Sequence, residues 1–166
     1  MYKFELKSGL LRVSDPGYPM KKEKTAYGYL YKHMRAKPGV WKVSIPTTKQ
    51  GLERDLFAYH SSVNPKTIVF DSKPGVVLGV DSGQMGVYDA KGFPKTEEGH
   101  EFFYDHLLAL NFRFEKNKPV KVLQKARYKT HKWGVVCAGF GGDGAYPLLV
   151  YRKKGVALAV KVIFNS

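Results

Sequence analysis

This sequence predicts a mainly β (α+β) protein, a single-domain antiparallel β-sandwich or partly open barrel over residues 1–166, with one covering helix near 97–111. Three observations predict it. Short β-branched and aromatic runs separated by Gly, Pro and Asp recur along the chain, which is the pattern of antiparallel strands. A single stretch carries apolar residues at helical steps. The length of 166 residues with 43% apolar composition supplies one ordinary core, and no break in composition argues for a second domain.

Taken in chain order, strands are expected at Tyr2–Leu6, Leu10–Ser14, Gly39–Pro46, Phe57–His60, Thr67–Phe70, Val76–Val80 and Met85–Tyr88. The helix is expected from Glu97 to Asn111. Phe103, Leu107 and Leu110 recur there at four- and three-residue steps, and Glu97, Glu98 and Glu101 put negative charge where the helix dipole favours it. Phe102, Tyr104 and Leu108 widen the apolar stripe, so the helix is expected to cover one face of a sheet. A strand at Gly134–Gly139 follows, and then a hairpin of Tyr146–Arg152 with Val156–Phe164. Its three-residue loop, Lys153-Lys154-Gly155, ends in a glycine able to adopt positive φ.

A short internal echo accompanies these elements. Ser8-Gly9-Leu10-Leu11-Arg12-Val13-Ser14-Asp15 and Ser82-Gly83-Gln84-Met85-Gly86-Val87-Tyr88-Asp89 share Ser-Gly at the start, Val at the sixth place and Asp at the eighth. Both read as turn, strand, acidic turn, in which Asp ends the strand by bonding nearby amides. Two strands built alike are expected to lie near one another.

Charge is the strongest functional signal. Residues 21–49 hold eight Lys/Arg against one Glu and residues 113–132 hold eight against one, which accounts for the whole formal charge of +14. Both segments interleave aromatics: Tyr27, Tyr29, Tyr31 and Trp41 in the first, Phe114 and Tyr128 in the second, with Trp133 just beyond. Clustered cations concentrate a polyanion and aromatic faces stack unpaired bases. The expected contacts are Lys32, Arg35, Lys37, Lys42, Lys121, Lys125, Arg127, Lys129 and Lys132, with Tyr31 or Tyr128 as an exposed platform. Lysine makes up 22 of the 28 basic residues. A strongly hydrated point charge favours backbone attraction over base-edge reading.

Enzymatic signatures are missing: no Gly-x-Ser-x-Gly, Walker loop, His-Glu-x-x-His or dinucleotide-binding glycine pattern occurs. Gly139-Phe140-Gly141-Gly142-Asp143-Gly144 lacks the Lys-Ser/Thr of a phosphate cradle and reads as a tight loop between strands. His33, His60, His100, His106 and His131 are dispersed without metal-ligand spacing. The single cysteine, Cys137, excludes an internal disulfide and reads as a buried strand thiol. Asp15, Asp81, Asp89 and Asp143 all lie in or beside Gly/Pro turns. A divalent cation is the one cofactor the sequence admits, should three of these carboxylates converge; independent turn caps are the simpler expectation. No stretch is long enough to span a membrane, and the first residues lack a signal-peptide core, so a cytoplasmic protein without membrane contact is expected.

Four elements in order also resemble a known pattern. They are Ser8-Gly9-(x)3-Val13-Ser14-Asp15-Pro16-Gly17-Tyr18, Lys37-Pro38-Gly39-Val40-Trp41, Val80-Asp81-Ser82-Gly83 through Asp89, and Gly139 through Pro147. Together they resemble a domain-of-unknown-function family of bacteria and phages. The resemblance implies a single β-rich domain and marks Asp15, Asp81, Asp89 and Asp143. It carries no activity. The functional expectation is a non-enzymatic binder of nucleic acid or another polyanion, mostly independent of sequence. The alternatives are a phage-type protein that inhibits an acidic host protein or sequesters an anionic signal nucleotide, and a carboxylate/metal-dependent phosphodiesterase.

Overall fold

Phe4 and Leu6 alternate with Lys3 and Glu5, and the first strand buries the apolar pair while exposing the charged one. The same logic runs through the computed structural model, which describes residues 1–19, 23–26, 28–71, 73, 75–111, 120–124 and 131–165, with backbone alone over 106–111. Its strands are β1 (Tyr2–Leu6), β2 (Leu10–Ser14), β3 (Lys24–Thr25), β4 (Gly28–Tyr29), β5 (Tyr31–Arg35), β6 (Gly39–Ser44), β7 (Asp55–His60), β8 (Val76–Val80) and β9 (Met85–Asp89). Helix α1 (Glu97–Asn111), β10 (Val120–Gln124), β11 (Lys132–Cys137), β12 (Gly144–Lys153) and β13 (Val156–Ile163) complete the order.

Two sheets result, β1-β6-β7-β13-β12-β8-β4-β3 and β10-β11-β9-β2-β5, antiparallel except where β4 meets β8. They face each other without closing into a barrel. Between them lies one core that includes Phe4, Leu6, Trp41, Val43, Leu56 and Val160 from the larger sheet and Leu11, Val13, Met85, Val87 and Val135 from the smaller. Each such fully buried side chain contributes about 1.5–3 kcal/mol.

The echo falls at equivalent places of an internal pseudo-symmetry. In β1, β2, β5, β6 and β7 the first strand pairs with the fourth, the second with the third and the fourth with the fifth. The strands β8, β9, β11, β12 and β13 repeat that scheme. The repeats join through the antiparallel seams β2–β9 and β7–β13, as an approximate two-fold axis requires. Val13 pairs with Val87, the sixth residues of the two echoes. Side chains follow the same symmetry: Trp41 meets His60 edge-on at 85°, and at the corresponding place Tyr146 meets Phe164 at 85°. The repeats differ in what they insert between their second and third strands, β3–β4 in one and α1–β10 in the other.

Thr96 opens α1 by accepting the Gly99 amide on its hydroxyl at 3.1 Å, and Glu97 and Glu98 occupy the first turn. Phe103 then packs on Tyr88, Phe93, Leu123, Trp133 and Val136, so the helix covers the outer face of the five-stranded sheet as expected. Tyr88 lies flat there because the backbone beneath it is glycine: a Cβ at Gly134 would come within 2.8 Å of the ring, and one at Gly86 would overlap its hydroxyl.

Several expectations are corrected. Thr67–Phe70 is no strand. Asn64 accepts the Lys66 amide and caps a single 3-10 turn at Pro65–Thr67, and no ladder partner follows, leaving Val69 81% exposed. Phe102 is 70% exposed, off the covered stripe, while the side chains of Leu107, Leu108 and Leu110 lie outside the described residues. The strand expected at Gly134–Gly139 starts and ends two residues earlier. In the C-terminal hairpin Lys153 pairs with Val156, so the loop is Lys154-Gly155 alone, with φ of 52° and 76°. Two positive-φ residues match the right-handed twist of the strands they join.

Candidate nucleic-acid interface

The described strands that the two basic segments give to the five-stranded sheet lie at its opposite edges. Lys32 and Arg35 lie on β5, whereas Lys121 and Lys132 lie on β10 and β11. At about 4.8 Å per strand, β5 and β11 stand roughly 14 Å apart across β2 and β9. Lys42 belongs to the other sheet, on its outer face opposite Lys3 and Tyr59. Lys37 follows β5 and donates to the Ser62 hydroxyl at 3.1 Å. Lys121 is half-buried, and burial lowers its pKa. Lys125, Arg127, Tyr128 and Lys129 lie outside the described residues.

Tyr31 is no exposed platform. It is 9% exposed, with the Arg12 guanidinium 4.2 Å from its ring centre and the His33 ring at 4.8 Å. Arg12 is fully buried between Tyr31 and Phe93 and donates to the Ser14 hydroxyl at 2.9 Å and the Tyr18 carbonyl at 2.7 Å. Burial lowers its pKa to about 10, and its job is local: it fastens the turn after β2 to the sheet.

What the fold does assemble is a cationic mouth around Tyr29. This half-buried ring carries the Lys24 ammonium at 5.2 Å and the Lys32 ammonium at 5.1 Å. Lys32 also lines a cavity of about 260 Å³ with Lys73 and Arg152, floored by Val76, Leu148 and Val150 and bordered by Asp71. Glu23 lies 3.2 Å from Lys32, in a partly exposed pair worth at most about 1 kcal/mol and open to exchange. Among the described residues, four cations thus face the two carboxylates Glu23 and Asp71. Lys73 and Arg152 escape a reading by segment because only the pairing of β8 with β12 brings them together.

A second cavity, of about 490 Å³, lies on the Tyr29 side of this mouth, lined by Tyr18, Ala26, Leu30, Val80, Ala145 and Asp81 among others. Burial raises the Tyr18 phenol's pKa, and the Asp81 carboxylate beside it raises it further.

The acidic turns resolve into two pins and two exposed carboxylates. Asp15 accepts the amides of Gly17, Asp81 and Ser82 at 2.6, 2.7 and 2.7 Å and the Ser82 hydroxyl at 2.5 Å. Asp89 accepts the amides of Lys7, Ser8 and Lys91 at 2.9, 3.1 and 3.1 Å and the Ser8 hydroxyl at 2.5 Å. Each echo's Ser-Gly turn is therefore held by the other echo's Asp. With their lone pairs so engaged, neither carboxylate is offered to an ion, and among the described residues no three His, Cys, Asp or Glu side chains are grouped to hold one. Asp81 and Asp143 are exposed, and both act on the Tyr18 phenol electrostatically.

No family model, curated protein or solved structure matches this chain. No helix among the described residues is long and apolar enough to cross a membrane.

Proposed function

We infer that this protein is a non-enzymatic binder of nucleic acid or another polyanion, engaged through the cationic mouth around Tyr29. The observation that carries the reading is the pair of ammonium groups on Tyr29 continuing into Lys73 and Arg152. An anion entering there meets an uncompensated excess of positive charge and an aromatic edge. Lysine predominates, so contacts fall on phosphates and affinity is largely common to all sequences.

The test is fluorescence anisotropy with labelled single-stranded oligonucleotides over a range of salt. Four phosphate contacts give a slope of log affinity on log salt near about −3. Charge reversal at Lys73 and Arg152 together is expected to weaken binding at least about tenfold at low salt and to flatten the slope by about 1.4. Absence of binding to DNA or RNA at about 50 mM salt would overturn the reading, and binding to an acidic protein at the same mouth would then replace it.

A further inference from the structure

We propose that the 490 Å³ cavity beside Tyr29 is a nucleobase pocket selective for guanine. The proposal rests on the polyanion reading above and names what the mouth does with one unpaired residue of the polymer. The cavity falls inside the range of about 300–1,000 Å³ typical of small-ligand sites. Its walls are Ala26, Leu30, Val80 and Ala145, apolar and short, and Gly28 and Gly79 contribute no side chain at all. A methyl at Gly79 would stand 3.6 Å from the Tyr18 hydroxyl, so Tyr18 packs over the β8 backbone as one wall of the cavity. Apolar walls with aromatic neighbours suit a planar ring.

Polarity decides which ring. Asp81 and Tyr18 both line the cavity. A carboxylate only accepts hydrogen bonds, so it selects a base edge that offers donors. The Watson–Crick edge of guanine presents two adjacent donors, N1–H and the N2 amino group. Adenine and cytosine set one amino donor beside a ring-nitrogen acceptor that a carboxylate repels, and thymine and uracil offer one N–H between two carbonyls. Carboxylates accept from base amino groups in the same manner elsewhere in nucleic-acid recognition. The phosphate end is provided for separately: Tyr29 belongs to the pocket wall, and the Lys24 and Lys32 ammonium groups sit on that ring, leading to Lys73 and Arg152. Donor edge toward the carboxylate and phosphate toward the lysines is the orientation in which one guanine nucleotide meets both signs of charge.

The experiment compares a ten-residue thymine oligonucleotide with versions carrying a single central guanine, adenine or hypoxanthine, by anisotropy under identical salt, together with GMP and AMP followed by ligand-observed NMR. Guanine is expected to bind about tenfold tighter than thymine, and hypoxanthine, which lacks the N2 amino group, falls between. In Asp81→Asn the guanine-to-thymine ratio drops toward one. The ratio is the quantity to read, because losing a negative charge strengthens every anion. Ala145→Leu, which fills the cavity from an exposed strand position, provides a second variant with the same expected loss. Equal affinity for guanine and thymine while the thymine oligonucleotide still binds would overturn the pocket and leave the polyanion reading standing. If no oligonucleotide binds, the mononucleotides decide: GMP binding that disappears in Asp81→Asn retains the pocket as a site for a free guanine nucleotide, and silence from GMP overturns it.

Discussion

Glu53 is 1% exposed, and neither of its carboxylate oxygens reaches full hydrogen-bond geometry with a partner. Burial pushes its pKa above the ordinary range, and the nearby Cys137 thiol and Gly139 backbone offset that only in part. Next to it, burial and the Glu53 carboxyl raise the Cys137 thiol as well, so this cysteine is held as an inert thiol, in keeping with its apolar sequence neighbours. The consequence is a defined pH dependence. The unfolded chain releases the Glu53 proton near 4.5, while the folded chain keeps it to higher pH. The stability due to this residue is therefore complete below about pH 4.5 and is lost as pH rises through the folded value. Glu53→Gln removes the proton, so in urea melts from pH 4.5 to 8 the difference between variant and parent is expected to move in the variant's favour as pH rises. A difference that stayed constant with pH would show the carboxyl to be solvated in the folded state. His33 and His60 work in the opposite sense, since burial lowers both pKa values and costs stability as pH falls below about 6.5; comparing variant with parent cancels them.

At the scale of elements, the reciprocal bonds Asp15–Ser82 and Asp89–Ser8 make two turns interchangeable in energy. Asp15→Ala and Asp89→Ala each strand several backbone donors, and each is expected to cost about 3 kcal/mol in a denaturant midpoint. The milder Ser82→Ala and Ser8→Ala should each cost about 1 kcal/mol and match one another. A severe effect at one turn with none at the other would break the equivalence. These turns are legible in the sequence because Ser-Gly and Asp carry local turn chemistry, and the C-terminal hairpin because alternation and a glycine mark it. The β5 strand is not legible: its buried residues, Tyr31 and Met34, stand three apart with half-buried Lys32 and His33 between, so no two-residue period shows. The β10 strand is hidden by its place inside a lysine-rich run. Tyr31 is misread as an exposed platform for a related reason. Tyr29 and Tyr31 are near neighbours in sequence, but Leu30 separates β4 of the larger sheet from β5 of the smaller. One ring therefore turns to the mouth, and the other to the buried Arg12. Lys32 follows from charge clustering alone, whereas Lys73 and Arg152 depend on strand order that no local pattern encodes.

The pseudo-symmetry also governs the whole molecule. Each repeat buries its inner face mainly against the other, since the common core draws Phe4, Trp41 and Leu56 from one and Leu78, Val135 and Val160 from the other. The two seams, β2–β9 and β7–β13, are both between repeats. A single covalent link, the connection from β7 to β8 over residues 61–75, carries the chain across, and Asn64, Lys66, Thr67, Val69 and Asp71 within it are half-buried or exposed. Cutting that link severs no ladder. A protease site inserted between residues 66 and 71 is therefore expected to yield two fragments that stay together on native mass spectrometry and size exclusion, still covering one core. Their stability should become dependent on concentration, because unfolding of the nicked protein releases two chains instead of one. Expressed separately, neither fragment is expected to fold as a monomer, for its inner face would stand open to water, though mixing the two should restore the sandwich. A first fragment that melted cooperatively on its own would show that the repeats are independent domains, and the approximate two-fold axis would then be a resemblance of pairing order without a shared core.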